Sequence, residues 1–562
     1  MSLQPCPWPQ VPAETVRIAK KAFRKGSLPI RVRDQLGQWC DDGQFVEVYG
    51  IRGKPGISPA QLAVVTVLAF TENLTDRQAA DAVRARLDWK YCLGLGLDDE
   101  GFDFSVLSEF RSRLVAGGLE ARVFELLLDR LKDEGLLKAG GRQRTDSTHV
   151  LGAIRSLNRL ELAGETLRAA LEAIAAAAPD WLGTVIDGSW AERYGARIQN
   201  LHLPASATKQ SELAALYGRD GYLLLDAAAG TDAPRWLFDL PALEALRRIW
   251  VQQYYRSISE DSRQEVVRRE ASEHGLPPGR TKLISPYDLD ARYSRKRETG
   301  WVGYKVHISE TCHEPEPDTT RPAPNLVTMV ATTAAAVSDV AMTEPIHDLL
   351  AGHGLAPGEH VVDAGYTSAE LLLAARARGI RLVGPLLGDN SPQARNGGYT
   401  LEAFTIDWDQ QQVTCPQGAT STSWCPCLQQ GTEAIVVRFD ATTCSDCPVR
   451  SHCTTAKRSG RQLSLRPRHV HEAIQTARAE QDSDQWARRY NIRAGIEGTI
   501  AQATHITGIR HTRYRGLAKT RLEHAFAATA INLIRLDAWW TGHPLDRTRT
   551  THLQRLDFTR AV

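Results

Sequence analysis

Residues 360–387, HVVDAGYTSAELLLAARARGIRLVGPLL, hold two short apolar runs separated by a longer amphipathic segment. HVV and IRLV are β-branched and too short for helices, whereas SAELLLAARAR spaces its apolar residues as a helix does. Strand, turn, helix and strand in that order bring the two strands together in parallel, with the helix covering the sheet. The expected fold class is therefore α/β. Asp363 ends the first strand. Its bland reading is a cap for the next helix, yet Thr367 and Glu370 in TSAE offer that helix a capping box of their own.

Two more carboxylates stand in comparable places. In GGRQRTDSTHV, residues 140–150, Asp146 follows a Gly pair and Arg142 and Arg144, and precedes the apolar Val150, Leu151 and Ile154. A carboxylate there is either a turn former or a ligand. In RRYNIRAGIEGTIAQATHITGIR, residues 488–510, Tyr490, Arg493 and Glu497 are spaced by 3 and 4 and so share one helical stripe. Ile492, Ile496 and Ile500 form the neighbouring stripe that would seat the helix. The bland reading is a surface Arg493–Glu497 pair worth roughly a few tenths of a kcal/mol. Taken together, carboxylates from separate elements can converge on Mg²⁺, and two such ions support displacement at phosphorus.

Around these motifs the chain divides by composition. At 562 residues it has room for several domains, and 42% hydrophobic with 24% charged residues is ordinary globular protein. A formal net charge of +2 is neutral about a polyanionic partner, so charge must be read locally. No basic-then-apolar leader and no membrane-length apolar run occur, so a cytoplasmic protein is expected. Residues 1–140 are expected to be helical. ISPAQLAVVTVLAF begins with Ser58 as cap and Pro59 in the first turn, and LTDRQAADAV carries a Thr75–Gln78 capping box. This pair is either a helix-turn-helix unit, whose second helix could enter a major groove, or a plain helical hairpin. The third helical stretch should break at Gly117-Gly118.

Residues 155–275 are an Ala/Leu-rich helical insertion, and strands resume at GWVGYKVHISETC and NLVTMVATTAAA. Long helices follow at about 469–504 and 517–540, with a polar tail at 546–562. Of ten cysteines, six crowd residues 415–453. Cys444 and Cys447 form a C-x-x-C, with Cys453 next and Cys415 returning from the preceding strand FTIDWDQQQVTC. Cys425 and Cys427 offer an alternative fourth thiol. The set could hold structural Zn²⁺, or it could be thiols filling a core.

TDSTHV, VVDAGY and YNIRAGIEGTI resemble the three acidic motifs of bacterial insertion-sequence transposases of the DDE type, in the branch with a Y-x-x-R-x-x-x-E signature. ARYSRKRETGWVGYKVH is similar to the strand region between that family's two Asp motifs. Residues 58–83 together with FSVLSEFRSRL are similar to its N-terminal helical domain. The resemblance implies a ribonuclease-H-like catalytic domain over 141–545, with a cysteine-containing β insertion at about 390–468. It also implies an all-helical DNA-binding domain over 1–140. Asp146, Asp363 and Glu497 would bind two Mg²⁺ ions, or Mn²⁺ in their place. Arg493 and Tyr490 would contact the DNA backbone. The implied substrates are double-stranded transposon ends and target DNA, handled near the nucleoid by a dimer or larger assembly. One departure stands out: the family signature has Lys seven residues after the Glu, and position 504 is Thr.

Basic runs mark an expected DNA track. Arg295, Lys296, Arg297 and Lys305 are interleaved with Trp301. Arg510, Arg513, Arg515 and Lys519 follow the third motif, and residues 450–468 hold six cations and no acid. Two rivals remain: a metal-dependent nuclease without strand transfer, and a non-catalytic DNA-binding regulator derived from a transposase.

Overall fold

In the computed structural model, which describes residues 2–200, 203–258, 264–312, 323–389 and 391–543, the expected strands join one six-stranded sheet. They are β1 (Arg142–Leu151), β2 (Arg292–Lys296), β3 (Thr299–Thr311), β4 (Val327–Ala334), β5 (Glu359–Val362) and β6 (Arg381–Val383). The long β3 runs antiparallel to β1 on one side and to β2 and β4 on the other. β5 pairs in parallel with both β1 and β6. The helix Ala369–Ala377 makes the crossover that the sequence required, but Ser368 caps it, its hydroxyl accepting from Leu371 N–H. The expected Thr367–Glu370 box is therefore displaced by one residue. Asp363 does cap something: its Oδ1 accepts from Gly365 N–H at the 3-10 turn Ala364–Tyr366.

The N-terminal helices pack on the same core as the sheet. α1 (Pro59–Thr71) starts with Ser58 capping Gln61, and α2 (Asp76–Ala85) with the reciprocal Thr75–Gln78 box. α1 is buried on nearly every side, which leaves it no face for a groove; α2 keeps an exposed outer side. The C-terminal segment forms α3 (Asp484–Asn491), α4 (Gly495–Thr507) and α5 (Leu517–Trp540). α5 lies between α1 and the sheet, with Phe526 stacked on Phe70 at 6.0 Å. One apolar cluster contains Phe70, Phe124, Val306, Ile500 and Phe526. The glycine break is present, since helices Ser105–Ala116 and Arg122–Asp133 flank Gly118 at φ +70°.

The insertion after β1 is helical from Arg159 to Gln253 and has its own core around Leu167, Trp190, Tyr217 and Trp250. It ends in a hairpin, Tyr254–Ile258 with Gln264–Arg268, where a helix to 275 was expected. Tyr, Tyr and Ile favour a pleated strand there, and Gly218 leaves room for Tyr254 and Val266 to pack closely. The cysteine region holds two small sheets. FTIDWDQQQVTC is a hairpin and not one strand, turning with Gln411 at φ +51°. The 546–562 tail lies outside the described residues. Among the described residues no helix is long and apolar enough to cross a membrane.

Candidate active site

Parallel pairing of β1 with β5 sets Thr145 opposite Val362, so Asp146 and Asp363 are the next residues on two adjacent strands. Asp146 is mostly buried. Its Oδ1 accepts from Ser147 N–H at 2.7 Å, and its Oδ2 lies 2.9 Å from Arg493 Nη1. Burial pushes the Asp146 carboxyl above its ordinary range, and the Asp363 charge adds to that push. The Ser147 N–H, Arg493 and Lys296 pull the other way. Two acids crowded in this manner form a site that a cation would relieve.

The third motif comes to these strands through a break in the helix. Tyr490 closes α3, Arg493 occupies a 3-10 turn (Ile492–Ala494), and Glu497 sits in the first turn of α4. The stripe expected over 490–497 persists, with its middle tightened into a 3-10 turn between the two helices. Arg493 Nη2 still reaches Glu497 Oε1 at 3.1 Å, so its guanidinium bridges the first and third acids. Glu497 is well exposed, its side chain 66% accessible against 13% for Asp146. Tyr490 is stacked on Trp486 at 4.9 Å; burial raises its hydroxyl's pKa, with Arg493 pulling it down and Asp363 pushing it up. Oxygen donors of this kind suit a hard divalent cation. Among the described residues, however, no three His, Cys, Asp or Glu side chains are gathered as ligands of one ion.

The basic residues divide into those near the acids and those committed elsewhere. Arg295, Lys296 and Arg297 are exposed at the tip of the β2–β3 hairpin, with Arg297 at φ +55°. Lys296 is close enough to act on Asp146. Arg510 donates to Thr148 Oγ1 at 2.9 Å, and Thr148 shares a face of β1 with Asp146. Trp301 is buried with its indole N–H on the Tyr304 carbonyl, so it offers no stacking surface to a base. Lys305 is held by the Val337 carbonyl and Asp339 at 2.8 and 2.9 Å. Arg513 lies over the Phe70 ring and donates to the Leu74 carbonyl and to Asn73, which makes it a brace between α5's approach and the N-terminal helices. Arg515 packs over Tyr287, whereas Lys519 is exposed. In the 450–468 run, Arg461 is buried on the Cys453 carbonyl and Arg466 pairs with Glu370. Thr504 donates to the Ile500 carbonyl one turn back on its own helix.

Three neighbours escaped the sequence reading. Asp339 accepts from Ser147 Oγ at 3.2 Å and from Lys305, and Tyr366 shares a 2.6 Å hydrogen bond with His307 Nδ1. Ser147 and Tyr366 adjoin the acidic motifs and were signalled by that position alone. Asp339, which opens the 3-10 turn Asp339–Met342 after β4, carried no local signal.

Cys415, Cys444 and Cys453 pack around one small core with Phe404, Val437 and Phe439. Burial raises the Cys453 thiol, Arg461 pulls it down, and Cys444, Cys415 and Cys447 are close enough to add to the rise. The Arg461 N–H points at Cys444 Sγ at 3.4 Å. The thiols are neighbours, though not drawn into one coordination sphere.

Two family models match. Residues 414–537, spanning the cysteine region and the third acidic motif, match the transposase DDE domain, and residues 20–113 match the transposase domain DUF772. Comparison with curated proteins and with solved structures gave no match.

Proposed function

We propose that Asp146, Asp363 and Glu497 are the catalytic acids of this chain, which its matches to transposase domains at 20–113 and 414–537 group with the insertion-sequence transposases of the DDE type. The observation that carries this is the Arg493 guanidinium joining Asp146 of β1 to Glu497 of α4 beside Asp363. The strand order, with an antiparallel β3 next to β1 and parallel β5 and β6 beyond, supports a ribonuclease-H-like core for 141–545.

The carboxylates would hold two Mg²⁺ ions, with Mn²⁺ as a substitute. When bound, the ions would supply activation of the attacking oxygen and neutralisation of the leaving one. The chain's own part is positioning. Arg493, rigid and always charged, would turn one edge to a backbone phosphate while keeping the acids in register. Tyr490 would contact the adjacent backbone, and Lys296, Arg297 and Arg510 would hold the strand by its phosphates. The reaction is in-line hydrolysis at the transposon ends followed by attack of the freed 3′-OH on target DNA, with at least two chains holding the two ends. Cys415, Cys444, Cys447 and Cys453 would bind a structural Zn²⁺ that staples sheets too small to be stable alone.

An assay with labelled ends and a supercoiled target separates the readings. Covalently joined ends are expected. Cleavage without joining would make the protein a nuclease, and binding without cleavage a regulator.

A further inference from the structure

Arg144 and Asp146 are two residues apart on β1, so their side chains leave the same face of the sheet. Asp146 receives the Arg493 side chain. Arg144 reaches the backbone one residue earlier, its Nη1 donating to the Ile492 carbonyl at 2.7 Å. The rest of its guanidinium is fixed from behind: Nε and Nη2 lie 2.7 and 2.6 Å from Oε1 of Glu310 on β3. Glu310 is fully buried, and its Oε2 accepts from Arg535 Nη1 and Thr499 Oγ1, both at 2.6 Å. Arg535 Nη2 closes the loop on Thr499 at 2.6 Å. Burial works to raise the Glu310 carboxyl, but Arg535 and Arg144 hold it below the usual range. The carboxylate is ionised, and β1, α4 and α5 are tied through it.

Gly495, the first residue of α4, is where this chain needs space. A Cβ there would lie 2.0 Å from Arg144 Nη1 and 2.3 Å from its Cζ. Its φ of −64° is ordinary for a helix, so the glycine answers a demand for room and not for backbone freedom. A buried ion chain is weak evidence of stability, because desolvation offsets much of its attraction. What it supplies is direction.

We propose that Arg144, Glu310 and Arg535 are positioning residues for DNA cleavage: the buried Arg–Glu–Arg chain fixes the Ile492–Ala494 turn, and so aims Arg493 and Glu497 at Asp146. This rests on the reading of Asp146, Asp363 and Glu497 as the cleavage site. A displacement near 1 Å in such a constellation costs about 100-fold in rate.

Gly495→Ala in the full chain tests it, since alanine suits the helix and the atoms nearest its Cβ are those of the Arg144 guanidinium. Cleavage should fall roughly 100-fold while binding to DNA ends is retained. Amide hydrogen exchange should quicken over residues 490–497 and stay unchanged in α5, a readout that needs no activity. The double variant Gly495→Ala/Arg144→Met should be no slower than Arg144→Met alone, because both act through one contact. Losses that multiply would overturn the proposal, and so would a folded Gly495→Ala with native cleavage and native exchange. If Asp146→Asn cleaves normally, the reading of the site falls and this inference with it. If Asp146→Asn is dead and Gly495→Ala is intact, only the positioning inference falls.

Discussion

Arg493→Met keeps most of the aliphatic stem and deletes the charge that bridges two acids, and its cost can be divided between them. The contact to Asp146 joins a guanidinium at 2.9 Å to a carboxylate only 13% exposed. A charge-assisted hydrogen bond of that kind contributes about 1.5–3 kcal/mol. The contact to Glu497 is an i,i+4 pair with a carboxylate 66% exposed, worth about 0.3–0.5 kcal/mol. In EDTA the substitution should therefore destabilise the fold by about 2 kcal/mol, nearly all of it through Asp146. Urea unfolding of the single and double variants measures the division. The coupling of Arg493→Met with Asp146→Asn should be about 2 kcal/mol, and with Glu497→Gln below about 0.5 kcal/mol. A coupling to Glu497 equal to or larger than that to Asp146 would refute the reasoning and return Arg493 to the status of a surface residue on its own helix.

Log affinity for DNA ends should fall linearly with log salt. Neutral substitutions at Lys296, Arg297 and Arg510 should each flatten the slope by about 0.9, whereas Arg513→Ala should lower thermal stability and leave the slope unchanged. Protein purified without chelator should carry about one zinc per chain, and Cys444→Ser with Cys447→Ser should lose it and loosen residues 404–456. A zinc-free, fully folded sample would leave these cysteines as core thiols. Glu523 is buried, and that burial raises its carboxyl to about 7 despite hydrogen bonds from Thr512 and the Arg513 N–H. An acid raised on folding stabilises when protonated, so its contribution is complete below about pH 4.3, the unfolded value, and lost as pH rises through about 7. Glu523→Gln should melt higher than the native chain above pH 7, and melts across that range would show no such gain if the acid were ionised at no cost.

The α/β class and the parallel pairing were legible because HVV, IRLV and the helix between them differ in period over a short, well-bounded stretch. The meeting of Asp146 with the Arg493–Glu497 pair lies between distant elements, and only the strand ends and the 3,4 spacing that frame it were local patterns a sequence displays. The break at Ile492–Ala494 was not. The spacing of Tyr490, Arg493 and Glu497 is identical on a continuous helix, and the group that takes the Ile492 carbonyl, Arg144 with Glu310 and Arg535 behind it, belongs to distant elements. Glu310 inside the strand HISETC and Arg535 inside the helix INLIRLDAWW were the signals available. The basic and aromatic runs misled in a similar way: composition says that Trp301, Lys305 and Arg513 are present, but only the sheet and α1 decide that they face inward or brace the fold. The hairpin at Tyr254–Ile258 was missed because a helical stretch leading into it masked the β-prone Tyr254, Tyr255 and Ile258.

Cleavage of DNA carrying the element's ends, with Mg²⁺, by the native chain and by Asp146→Asn, Asp363→Asn and Glu497→Gln, decides whether these three acids are catalytic. The native chain should nick, none of the three variants should, and all should retain end binding, because the phosphate contacts come from other residues. Full cleavage by any one of the three variants would contradict it and remove that residue from the catalytic set.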